Sequence, residues 1–289
     1  MARNVETDEI TGVETTGHEW DGIKELDNPM PRWWLMVFYA SILFSVLWWI
    51  LYPSWPTGSG YLKGVLGSNQ RVELEERMVK ARAGQAVWLE RIAAADTVTM
   101  LADPELRQFA IAGGGVAFKD NCAPCHALGG AGQLQYPVLA DDEWLWGGTL
   151  EDIELTIRHG IRSGTEEGRD SMMPAFGADG LLETAQIRDV AQHVLALGGR
   201  EADPAAAERG AVVFEENCAA CHGERGEGMA MMGAPALDDA IWLYGGSAAE
   251  IAAQISRPRH GMMPAWQGRL EDETIKMLTV YVHSLGGGQ

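Results

Sequence analysis

All four cysteines of this 289-residue chain lie in two copies of one pattern, N-C-x-x-C-H, at residues 121–126 and 217–222. In each copy the second cysteine stands three residues after the first and the histidine four after it. On a helix all three side chains can therefore address one flat cofactor. C-x-x-C-H is the attachment pattern of a c-type haem, in which the thiols become thioethers and the imidazole binds iron. A structural zinc site needs four grouped ligands, and each copy supplies only three. A dithiol redox pair gives histidine no reason to follow twice, and disulfides among the four cysteines need an oxidising compartment. Duplication favours haem, with Cys122, Cys125 and His126 holding one and Cys218, Cys221 and His222 a second.

The flanking sequence is duplicated as well. Residues 116–126, VAFKDNCAPCH, match 212–222, VVFEENCAACH, at an offset of 96. Pro137, Leu139, Trp144, Gly147 and Gly148 match Pro235, Leu237, Trp242, Gly245 and Gly246 at 98. MMPAF at 172–176 matches MMPAW at 262–266, and each repeat ends in LGG. Two homologous domains, 109–199 and 205–289, follow from this pattern, with a seam at 198–210 that is rich in small residues.

Iron needs a sixth ligand. Met173 and Met263 each stand before Pro-Ala and an aromatic residue, and a neutral thioether favours reduced iron and raises its potential. Such a closed site suits a carrier, not a catalyst, so no catalytic residue is expected. Met172, Met262, His159, His193, His260 and His283 are the weaker ligand candidates. By default each methionine serves the haem of its own repeat, although exchange between paired repeats stays open.

Residues 33–52 carry neither charge, proline nor glycine, and tryptophan and tyrosine cluster at both ends. Twenty such residues match a bilayer core, with the rings at its interfaces. The acidic character of residues 1–31, before the run, and the lack of a small-residue cleavage site after it favour a retained anchor over a cleaved leader. The expected order is an acidic N-terminus at 1–32, a transmembrane helix at 33–55 and a helical connector at 56–108, with 71–95 a surface helix. Ser41 and Ser45 could line a face packed on another membrane helix. Haem attachment outside the bacterial cytoplasmic membrane puts the repeats in the periplasm, against the local Lys/Arg bias, which long translocated domains commonly override.

Net charge is −19, made up of −6 in residues 1–31, +1 in 32–110 and −7 in each of 111–200 and 201–289. Phosphate binding needs a cationic surplus, so this distribution excludes a nucleic-acid partner. A basic protein partner fits better.

One membrane helix before two tandem class I cytochrome c domains, an all-α architecture, resembles the CcoP (FixP) subunits of cbb3-type cytochrome c oxidases. The stretches that carry the resemblance are residues 27–44, DNPMPRWWLMVFYASILF, residues 136–164, YPVLADDEWLWGGTLEDIELTIRHGIRSG, and the two MPA sites. It implies two covalent haems c and a non-catalytic, membrane-bound electron-transfer subunit of a proton-pumping oxidase in aerobic respiration. Electrons would come from a donor cytochrome c and leave for the second cytochrome subunit (CcoO) and the oxygen-reducing haem–copper subunit (CcoN), with CcoQ a further partner. A free-standing anchored carrier and a dihaem peroxidase are the alternatives. Ala127 departs from the family pattern, which has glycine after the histidine.

Overall fold

The computed structural model describes residues 5–286 and 288. They form two compact units that divide in sequence between Gly84 and Gln85. In the first unit, strands β1 (Thr15–Trp20) and β2 (Ile23–Leu26) pair antiparallel. Asp21 and Gly22 turn the chain between them with φ of 50° and 86°. Asp-Gly with both residues at positive φ is the turn whose twist matches a two-residue hairpin. Part of the acidic N-terminus is therefore strand.

Helix α1 spans Arg32–Leu51 without one buried side chain. Among the described residues it is the one helix long and apolar enough to cross a membrane. Its serines are spent locally: Ser41 Oγ donates to the Phe38 carbonyl at 2.7 Å and Ser45 Oγ to the Ser41 carbonyl at 2.8 Å. An apolar helix satisfies its hydroxyls in this way. A short pair, β3 (Pro56–Thr57) and β4 (Gly60–Tyr61), follows Pro53, just past the end of α1.

The helical connector expected at 56–108 is broken twice after α2 begins, and aspartate makes both breaks. Helix α2 (Gln70–Ala94) stops before Asp96, whose carboxylate accepts from the Thr99 amide at 2.7 Å and starts α3 (Thr97–Ala102). Asp103 accepts from the Glu105 and Leu106 amides at 2.9 and 3.2 Å and starts α4 (Pro104–Asn121), with Pro104 in the first turn. These are ordinary N-caps, and each satisfies an orphan amide of the first turn. Nor is the end of α2 a surface helix. Ile92 is fully buried with Met100, Leu106, Ala110, Met277 and Val280, and Trp88 stacks on Phe109. Lys276 caps that end by donating to the carbonyls of Ile92, Ala93 and Ala95 at 3.2, 3.0 and 2.7 Å, a cation at a helix C-terminus.

The second unit holds the duplicated sequence, and its packing runs across the repeats. After the short α5 (Ala123–His126) come α6 (Leu150–His159), α7 (Thr184–Leu197), α8 (Pro204–Asn217), α9 (Ala219–His222), α10 (Ala248–Ser256) and α11 (Asp272–His283). Helix α4 of the first repeat lies against α11 of the second, with α6 alongside. Helix α7 of the first lies against α8 of the second, with α10 alongside. The first group buries Phe118, Ile153, Ile157, Ile275, Leu278 and Val282 together. The second buries Phe176, Ile187, Val190, Val194, Val213, Phe214, Ile251 and Ile255. The boundaries 109–199 and 205–289 thus mark the duplicated sequence, while each core draws on both copies.

Candidate haem-binding sites

Each cysteine motif closes one helix and makes a single turn of the next. In the first, the Cys122 amide ends α4 by donating to the Phe118 carbonyl at 2.8 Å, and the Cys122 carbonyl accepts from Cys125 and His126 at 3.1 and 2.9 Å. In the second, Cys218 donates to Phe214 at 2.8 Å and accepts from Cys221 and His222 at 3.1 and 3.0 Å. A four-residue helix and the cysteine that caps it thus carry both thiols and the ring. All four cysteines are free. Burial, then the neighbouring cysteine, pushes the Cys122 and Cys218 thiols up to about 11, so both are un-ionised at neutral pH.

Both histidines are oriented by the carbonyl of a proline downstream, at equivalent places in the two repeats. His126 Nδ1 lies 3.2 Å from the Pro137 carbonyl, and His222 Nδ1 lies 3.0 Å from that of Pro235. A carbonyl only accepts, so the proton sits on Nδ1 and the Nε2 lone pair is left for a metal. Burial lowers the pKa of both rings and keeps them neutral. The repeat at 137 and 235 was visible in the sequence, but the role of these carbonyls was not.

The residue after each histidine turns sharply. Gly223 has φ 82° and ψ 158°, and Ala127 takes the corresponding φ 59°, ψ 172°. Only glycine occupies that region freely, and another residue there costs roughly 1–3 kcal/mol. Ala127→Gly is therefore expected to stabilise the protein by about 1 kcal/mol after the greater unfolded-state entropy of glycine is deducted. Chemical denaturation of the two proteins checks it.

Each methionine packs in the core that holds the motif of the other repeat, not that of its own. Met263 packs, with Trp266, into the core that holds Cys122 and Trp144. Met173 packs into the core that holds Cys218, His222 lines the same cavity, and Trp242 lies beside them. That cavity, of about 660 Å³, is lined by Met173, Val190, Val194, Phe214, Cys218, Cys221, His222, Trp242, Ile251 and Ile255 among others. It has the size and the mainly apolar wall of a cofactor pocket. Met172 and Met262 are exposed. His159 lies 3.7 Å from Glu167, His193 packs on the Phe214 ring, and His260 bonds the Met173 amide.

The second site passes a test of fit for haem. Trp242 Nε1 is buried and has no acceptor among the described residues, although an indole N–H is donor only and a buried one is normally satisfied. A carboxylated planar cofactor in this cavity supplies such an acceptor. The donor set also suits a low-spin iron, with one neutral imidazole and one thioether at each site.

Between the sites, equivalent acidic residues of the two repeats meet. Burial and mutual repulsion raise the pKa of Asp141, with Asp142 and Asp239 contributing; Glu143 is raised by burial, then by Asp239, to which it also hydrogen-bonds. A carboxyl whose folded pKa is raised favours the folded state below its ordinary value, and that contribution is lost as pH rises. Asp239→Asn is expected to stabilise the protein at neutral pH by only ~0.5 kcal/mol, because solvent screens these groups. The advantage should vanish as pH falls below the ordinary carboxyl values of 3.8 and 4.5, which thermal melts across that range check.

Comparison with known proteins agrees with this architecture piece by piece. Residues 12–59 match the family described as the N-terminal domain of cytochrome oxidase-cbb3, FixP. Residues 111–198 match cytochrome c, and 205–282 match cytochrome c oxidase, cbb3-type, subunit III. A cbb3-type cytochrome c oxidase subunit CcoP from Azospirillum sp. (strain B510) is 49% identical, with all of both chains covered. The FixP subunit of Sinorhizobium medicae is 48% identical over 98% of this chain and 97% of its own, and the CcoP subunit of Cereibacter sphaeroides 46% over 95% of each. Cytochrome c domains imply covalent haem c, and one apolar helix accords with a membrane-associated subunit. The chain belongs to the CcoP/FixP family of cbb3-type cytochrome c oxidase subunits, as a cytochrome c electron-transfer subunit.

Proposed function

We propose that the chain carries two haems c and relays electrons from a donor cytochrome c to the CcoO and CcoN subunits of a proton-pumping oxidase. Its N-terminus would lie in the cytoplasm, with α1 in the inner membrane and the two sites in the periplasm. CcoQ is a further candidate partner in the same complex. The observation that supports this best is the reciprocal arrangement of ligands. Each motif presents a neutral imidazole with Nδ1 committed to a proline carbonyl, and each faces a methionine of the other repeat.

His126 and Met263 would hold one iron, and His222 and Met173 the other. Haem supplies reversible one-electron exchange. Cys122 and Cys125 tie the first ring to the chain, and Cys218 and Cys221 the second. The apolar walls exclude water, and two neutral ligands at each site favour the reduced state. An imidazole and a thioether offered to each iron would suit electron exchange and would leave no place for oxygen or peroxide to bind. The surplus of carboxylates on both repeats would draw a basic donor, an attraction that salt screens.

The reading is tested by counting covalent haem. Natively produced protein should carry two per chain, and the double substitution C218S/C221S should carry one. Purified in mild detergent, the chain should co-elute with a haem–copper oxidase. Haem lost into acidified acetone, or a chain that elutes alone, would contradict the reading.

A further inference from the structure

The two methionines are held by different means. Met263 shares a two-way main-chain bridge with Ile161: its amide donates to the Ile161 carbonyl at 2.9 Å, and its carbonyl accepts from the Ile161 amide at 3.0 Å. Met173 has no such bridge among the described residues. Its amide donates to Nε2 of His260 at 3.1 Å.

The sequence explains the difference. The offset of 98 that pairs Trp144 with Trp242, and the helix caps Thr149 and Ser247, pairs Gly160 with Pro258 and Ile161 with Arg259. Gly160, at φ 72°, runs so close to the Met263 segment that a Cβ would strike the Met263 carbonyl. Proline carries a ring and a fixed negative φ, so Pro258 cannot copy that approach. The Arg259 amide goes instead to Gln254 Oε1 at 3.2 Å. A side chain therefore does at the second site what the backbone does at the first. Arg162 braces both segments, with Nε donating to the Gly261 carbonyl and Nη1 to the Ser171 carbonyl, each at 2.7 Å.

We propose that His260 is a positioning residue for the second centre, fixing the main chain of Met173 and hence the reach of its sulfur, while the first centre needs no such side chain. This rests on the reading that Met173 faces the second motif's iron. The consequence is two unequal centres: the first has a sulfur anchored by main chain, and the second one that a single substitution can loosen.

The test uses the oxidised full-length protein with both haems. A glutamine amide oxygen reaches about as far as Nε2, whereas an asparagine amide stops near Nδ1. His260→Leu and His260→Asn should each remove up to half of the sulfur-to-iron charge-transfer absorption and shift one of the two midpoint potentials downward. They should also let cyanide bind one centre about tenfold more tightly, the equivalent of one lost buried hydrogen bond. His260→Gln should restore all three readouts, and the other midpoint should not move. The proposal is overturned if Asn and Leu leave these signals unchanged, if both centres shift together, or if Gln fails where Asn fails. Met173→Ala separates the two levels. If it removes half of the absorption while His260→Asn does nothing, only the positioning role is wrong; if it too leaves the absorption intact, the ligand assignment itself is wrong.

Discussion

A fragment of residues 168–258 is expected to fold alone and hold one haem, whereas residues 104–199, one whole sequence repeat, are expected to stay unfolded. The first fragment contains every residue of one core, from Phe176 through Val190, Val194, Val213 and Phe214 to Ile251 and Ile255, together with Met173 and the second cysteine motif. The second keeps Phe118, Ile153 and Ile157 but loses Ile275, Leu278 and Val282, which cover them. Burying an aliphatic side chain is worth roughly 1.5–3 kcal/mol, so three of them amount to about 5–9. That equals or exceeds the margin on which a small domain stands. The fragment would also leave the apolar stripe of α7 bare, because α8 and α10 are gone. Circular dichroism and covalent haem content of the two fragments check both outcomes. Folding of the repeat, and failure of the fragment that spans the seam, would reverse the assignment.

The other large effect is expected at two glycines in equivalent places, Gly114 on α4 and Gly210 on α8. A Cβ on Gly114 would collide with the Met277 carbonyl and lie 2.7 Å from the Tyr281 Cβ; one on Gly210 would collide with the Asp189 carbonyl and lie 2.9 Å from the Val190 Cα. The obstruction is mostly backbone, which cannot rotate aside, so a side chain must force the helices apart. Gly114→Val and Gly210→Val should each cost about 3 kcal/mol or more, beyond ordinary overpacking. For a unit the size of Gln85–Gln289 that is roughly 6–12 °C in the melting temperature. The damage should be local: the first substitution should loosen the site of Cys122, and the second that of Cys218. Thermal melts followed at the haem absorption, with one motif disabled at a time, read the two separately.

Much of this was legible in the residues because its causes are local. An uncharged run ended by aromatic rings can hardly be anything but α1, and a Cys-x-x-Cys-His turn carries its chemistry within five positions. Recurrence of Pro137 and Pro235, and of Trp144 and Trp242, marked positions whose use became clear only in three dimensions: each proline carbonyl orients a ring, and Trp242 carries a buried indole N–H with no acceptor among the described residues. Asp21-Gly22 was a hairpin signal hidden within a segment read by its charge. Asp96 and Asp103-Pro104 were cap signals inside a stretch whose helical spacing runs past them.

The crossed packing of the methionines was not legible from the duplication, since similarity between copies says nothing about which copy closes which core. A signal did exist in the seam. Only six residues separate Leu197 from Pro204, and a link that short sets successive helices side by side. Once α7 and α8 are neighbours, the last helix of the first repeat is committed to the first helix of the second. Helix α11 is then what remains to cover α4. The asymmetry between Ile161 and His260 follows from one pair of residues, Gly160 and Pro258, whose backbone preferences differ.

The most direct measurement uses a chain whose first motif is disabled by C122S/C125S, so that one haem remains, on Cys218 and Cys221. Met173→Ala in this background should abolish the sulfur-to-iron absorption of the oxidised protein and open the iron to cyanide, and Met263→Ala should leave both unchanged. Loss of the absorption with Met263→Ala and its survival with Met173→Ala would contradict the crossed arrangement.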